Sequence, residues 1–160
     1  MTEFSINEII ELAVQIEKSG YQFYDTVLQR KDISTKVKDL IEHLRNEEKI
    51  HEATFKNLRS SDDSENLGDP VNWQEAAFYL KSISDSHVFS KVDAAIILAK
   101  EAADEVEIID TAIQFEKDTL IFFHSLHQNS SDASTQNIIK KIIDEEVSHI
   151  VSLAKMKRAL

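Results

Sequence analysis

Four stretches of this chain each carry a glutamate in the middle of an apolar stripe of helical period, and this limits the fold more than any other feature. At 100° per residue Glu17 falls among Ile10, Val14, Tyr21 and Tyr24, within about 20° of the first and last. Glu116 holds the same place among Ile109, Ile113, Leu120 and Phe123. Glu48 lies between Leu44 and Phe55, with His51 on the same face one turn on; Glu146 and His149 do the same between Ile142 and Leu153. Glu47 and Glu145 turn about 100° off the stripes and read as flanking, solvated residues. Burying one unpaired carboxylate costs about several kcal/mol even after relaxation, and like charges add to that cost. Protonation, basic partners or metal ions are the remedies, and the stripes bring no lysine or arginine to this level.

The rest of the chain agrees with a helical fold. There are two glycines and one proline in 160 residues, too little punctuation for a many-stranded sheet. The class is all-α, in one domain spanning residues 1–160. The first helix is expected from Ser5, in capping-box spacing with Glu8, to about Arg30. The second runs from about Ser34 to Leu58, the third from Asp104 to about His127, and the fourth from Asn137 to about Ala159. Short loops near residues 29–33 and 128–136 make two antiparallel hairpins, 5–59 and 104–160. The crossover, 60–103, opens with a polar stretch at 60–69 and Pro70. It recovers helical pattern at 73–83 and 93–100, enough for one or two short helices.

The two hairpins are copies of one unit. Ala-Val-Gln-Ile-Glu-Lys at 13–18 answers Ala-Ile-Gln-Phe-Glu-Lys at 112–117, and Phe23 and Tyr24 answer Phe122 and Phe123. Leu40 and Ile41 match Ile138 and Ile139, Glu47 and Glu48 match Glu145 and Glu146, and His51 matches His149. Chance likeness between amphipathic helices would repeat the apolar stripe, not the same polar intrusions within it.

Two divalent cations would neutralise four inward carboxylates, and two imidazoles would complete the set. Residues i and i+3 share a helix face, so Glu48 with His51, and Glu146 with His149, can serve one metal pair. The expected ligands are Glu17, Glu48, His51, Glu116, Glu146 and His149. Glu48 and Glu146 would bridge, Glu17 with His51 completing one metal and Glu116 with His149 the other, unless the pairing crosses over. Oxygen-rich ligands with two nitrogens suit iron or manganese, singly or mixed. A single Glu-x-x-His is weak evidence, whereas two in repeat-related positions with two further inward glutamates are specific.

Charge and composition narrow the partners. A formal charge of -11 argues against nucleic acid and against anionic membranes. With no cysteine the chain has no disulfide, thiolate metal site or thiol catalysis. The N-terminal residues carry no secretory pattern, and no apolar run approaches the roughly 20 residues that span a bilayer. A cytoplasmic protein is expected.

At these residues, in the stretches 13–24, 46–55, 112–123 and 143–150, the sequence resembles the ferritin-like superfamily and, within it, the di-iron domain of rubrerythrins. The resemblance implies an antiparallel four-helix bundle with two bound irons. It further implies reduction of hydrogen peroxide or oxygen in oxidative-stress defence, and often a homodimer, sometimes with exchanged helices. Two departures matter. The cysteine-ligated rubredoxin iron of typical members is absent, so an external donor such as a rubredoxin-like or flavin protein would supply electrons. Where the family has another glutamate one turn after the third helix's metal glutamate, this chain has Thr119, whose repeat mate is Gly20.

Bacterioferritins share the ligand pattern, so a ferroxidase or iron-handling role is the rival reading. Only a short tail follows the last helix, which speaks against the fifth helix of a storage cage. Glu52 stands where a haem-binding methionine would, so no haem is expected. A metal-stabilised bundle that binds a partner protein is a third reading. Tyr24, two turns after Glu17, can donate a hydrogen bond to a ligand or serve as plain packing. His43, His87, His124 and His127 fall outside the ligand level. Gly20 costs roughly 1 kcal/mol in mid-helix and leaves room either for an exogenous ligand or for close helix contact. A second apolar flank, Ile9, Ile16, Phe23 and Val27 with Ile108, Phe115, Phe122 and Leu126, is expected to meet the crossover helices, a dimer partner, or both.

Overall fold

The structure, a computed structural model, describes residues 5–59, 70–88 and 91–160. Helices account for nearly all of them: α1 (Ile6–Leu28), α2 (Thr35–Asn57), α3 (Pro70–Ser86), α4 (Val92–Glu101), α5 (Glu105–Asn129) and α6 (Ala133–Ala159). The chain is all-α, and no strand occurs among the described residues. The long helices α1, α2, α5 and α6 form the bundle, α1 pairing with α2 and α5 with α6. Along the crossover, α4 lies on α1 and α3 on α5. The polar stretch at 60–69 lies outside the described residues. No described helix is long and apolar enough to cross a membrane.

Side-chain caps set where each bundle helix starts. Ser5 accepts from the Glu8 N–H while the Glu8 carboxylate accepts from the Ser5 N–H, a complete capping box. Ser34 and Asp104 cap α2 and α5 by one bond each, accepting from the N–H groups of Val37 and Glu107. The start of α6 departs from expectation: the helix begins at Ala133 rather than near Asn137. Asp132 accepts from both the N–H and the hydroxyl of Thr135 and so nucleates a turn from polar residues that carry no apolar period.

Two contacts lock the crossover end of the molecule. Arg30, held by Asp32, donates from Nη1 to the carbonyls of Ala99 (3.0 Å) and Ala102 (2.8 Å), filling the orphan acceptors at the end of α4. The Ser34 N–H donates to the Glu105 carboxylate, tying the first hairpin loop to the start of α5.

The second apolar flank is spent within the chain. Ile9, Ile16, Phe23, Val27, Ile108, Phe115, Phe122 and Leu126 are all buried beneath α3, α4 and the neighbouring bundle helices. The expectation that part of this flank faces a second copy is corrected accordingly. Phe55 of one hairpin meets Phe123 of the other at 4.9 Å between ring centroids, each buried phenyl contributing about 1.5–3 kcal/mol. That packing forms one wall of the polar level.

Candidate metal centre

Glu17 rises from α1, Glu48 and His51 from α2, Glu116 from α5, and Glu146 and His149 from α6. The four carboxylates are fully buried, and the two imidazoles nearly so. Potential ligand atoms of Glu17, Glu48, His51 and Glu146 all lie within 4.8 Å of one another, as do those of Glu48, Glu116, Glu146 and His149. The two groups share Glu48 and Glu146. Both histidines turn Nδ1 inward. His51 Nδ1 is 2.9 Å from Glu146 and 3.7 Å from Glu17; His149 Nδ1 is 2.8 Å from Glu146, 3.5 Å from Glu116 and 3.7 Å from Glu48.

These atoms converge without satisfying one another. Among the described residues ten buried side-chain polar atoms lack a hydrogen-bond partner, and nine of them belong to these six residues. Native interiors pair nearly all such atoms. Two cations at the shared centre would satisfy the nine together, so the residues fit a two-metal site.

Electrostatics tells the same story for the metal-free protein. Burial raises the Glu17, Glu48 and Glu116 carboxyls, and the nearby charge of Glu146 adds to each. Burial also acts on Glu146, but the two adjoining imidazoles outweigh it and hold that carboxyl low. Burial would lower the histidines, yet Glu146 and Glu17 push His51 up to about 12, and Glu116 and Glu146 push His149 up to about 10. Protons thus stand where cations would.

The surroundings of the two halves differ. The Tyr24 hydroxyl donates to Glu116 Oε1 at 2.6 Å, whereas Phe123, its repeat mate, can give Glu17 no such bond. His51 Nε2 lies 3.0 Å from Glu145 Oε2, so Glu145 is not merely a solvated neighbour: its carboxylate fixes the ring with Nδ1 inward. Glu47 also leans toward this group. His43 and His124 are exposed. His87 is buried, its Nε2 bonded to the Thr119 hydroxyl at 3.0 Å. Sequence reasoning missed both Glu145 and His87. The repeat of Glu-Glu-x-x-His was the available signal for Glu145; nothing local marks His87.

The family model described as Rubrerythrin matches residues 8–157. The chain belongs to the rubrerythrin family. A crystal structure of a protein from Thermotoga maritima, described as ferritin-like and diiron-carboxylate, matches this rubrerythrin-family chain with a TM-score of 0.66. The two are 23% identical over 99% of this chain and 97% of that one, a likeness that establishes the ferritin-like fold. No curated protein matches. This chain has no cysteine, and its Thr119 is bonded to His87 of the crossover.

Proposed function

We propose that the chain is a di-iron carboxylate oxidoreductase that reduces hydrogen peroxide, or oxygen, with electrons from an external donor. One observation carries the reading: nine orphaned buried ligand atoms from four helices converge on one centre. Glu48 and Glu146 are the shared ligands, Glu17 with His51 completes one metal position, and Glu116 with His149 the other. Two ferrous ions bound there would supply the two electrons that, with two protons, convert hydrogen peroxide into two waters. Tyr24 holds Glu116 in place by its hydrogen bond, and Glu145 keeps the His51 ring aimed. The aromatic and aliphatic walls exclude bulk water. These residues include no cysteine, so the electrons come from a donor outside them, of rubredoxin or flavin type. With this reading go a cytoplasmic location, a part in oxidative-stress defence and a homodimer, the last checked by sedimentation.

A second reading, ferrous-ion oxidation and transfer, draws support from Glu47 and Glu145, half-buried carboxylates that lead from the surface to His51. Elemental analysis of protein purified without added metal, followed by stopped-flow mixing of the ferrous protein with peroxide and with oxygen, tests both. Two irons per chain and fast reaction with peroxide support reduction. Iron uptake beyond two per chain supports handling. Inertness to both oxidants ends the oxidoreductase reading.

A further inference from the structure

The side of the centre away from the histidines is built differently from the side that carries them. Behind His51 stand the half-buried carboxylates Glu47 and Glu145. On the α1–α5 side the neighbours are uncharged: Gly20, Phe115, Thr119 and His87. Gly20 follows Glu17 by one turn, and a methyl group placed on it would lie 2.6 Å from Glu48 Oε2 and closer still to Phe115 Cζ. The tip of the Phe115 ring and the Glu48 carboxylate therefore share the gap that this glycine leaves. The repeat makes the gap one-sided. In the other half Thr119 stands where Gly20 does, and Ile16 stands where Phe115 does, so a large residue of α5 reaches into the space vacated on α1.

Behind Phe115, His87 packs edge-on with ring centroids 5.4 Å apart. Its position is set by the Thr119 bond and by the next residue, whose Val88 N–H donates to Asp118 at 2.9 Å. Burial, only partly opposed by Asp118, lowers the His87 pKa to about 4, so the ring is uncharged at neutral pH. His87 retains 4% of its surface exposed and Phe115 none. His87 thus backs Phe115, whose tip adjoins the Glu48 carboxylate, and neither ring is charged at neutral pH.

We propose that Phe115 is the size-selecting gate of the centre, with His87 as its outer stop. A small ligand bearing a donor oxygen or nitrogen reaches the metals on the Gly20 side when the ring swings aside, and bulkier ones are refused. Cations have a separate approach past Glu47 and Glu145. This inference rests on the two-metal reading above.

The test uses the ferric protein, wild type and the variants Phe115→Leu, Phe115→Ala and His87→Ala, each with its iron content measured. Azide and benzoate are mixed with each, and binding is followed through the visible absorption of the ferric ions. The wild type is expected to bind azide and refuse benzoate. Phe115→Ala should bind azide at least tenfold faster and admit benzoate, with Phe115→Leu intermediate. His87→Ala should speed azide by a smaller factor and still refuse benzoate. Two irons per chain with unchanged azide rates and continued exclusion of benzoate in both Phe115 variants would overturn the gate alone. A wild type that takes up no iron would overturn the metal reading and the gate with it. If Phe115→Ala fails to retain iron, the Phe115→Leu and His87→Ala rates decide.

Discussion

Glu146 lies within 3 Å of both imidazoles, and in the metal-free protein that arrangement stores protons. Glu17, Glu48, Glu116, His51 and His149 all hold protons in the folded state that the unfolded chain releases at lower pH, while Glu146 alone does the reverse. Where the folded state binds more protons, stability falls as pH rises. The melting temperature of metal-free protein should therefore drop from about pH 5 to about pH 9, checked by calorimetry in chelator. Metal binding must expel the same protons, so affinity should rise with pH, and titration calorimetry in buffers of different ionisation enthalpy should detect proton release. Glu145→Gln tests the support of His51. Loss of such a partner costs about 10–100-fold in metal affinity, whereas Glu47→Gln, which removes no hydrogen bond to the ring, should cost far less. Equal losses in both variants would mean that only the local charge matters.

At the scale of helices, Gly20 sets two effects against each other. Alanine favours a helix interior over glycine by roughly 1 kcal/mol, yet here the added methyl would collide with Phe115 and Glu48. The collision should win. Gly20→Ala is expected to weaken metal binding at least tenfold and to lower the melting temperature of the loaded protein; a simple gain in stability would show that the ring yields freely. How much of this was legible in the sequence depends on where each contact originates. Ser5 with Glu8 announces the start of α1 because the cap is local, whereas Asp132 sits in a run of serines and threonines that resembles a loop, so four residues of α6 escaped notice. The six inward polar residues stood out because charge inside an apolar stripe is conspicuous at any rotation of the helix. The Phe115 wedge and the bond from His87 to Thr119 did not, since the first depends on how α5 meets α1 and the second on how the end of α3 lies over α5, which no local pattern encodes.

At the scale of the molecule, each hairpin donates half of the ligand set, Glu17, Glu48 and His51 from one and Glu116, Glu146 and His149 from the other. Bound metals would join the hairpins at mid-height, and binding to the folded state alone stabilises it by mass action, about 4 kcal/mol at a thousandfold excess over Kd. Chelation should accordingly lower the melting temperature by roughly 8–16 °C for a chain of this length. It should also speed amide exchange most in the turns around Glu48 and Glu146.

Tyr24 donates a hydrogen bond to Glu116, and its repeat mate Phe123 can donate none to Glu17. The duplication that built the bundle has thus produced twin positions that are not electronic equals: the ion beside Glu116 faces a carboxylate drained of some of its donor strength. Mössbauer spectra of the enriched protein should resolve two quadrupole doublets of equal area, and Tyr24→Phe should draw them together. A chain with unlike berths can also seat unlike ions, one iron and one manganese, each in a preferred place.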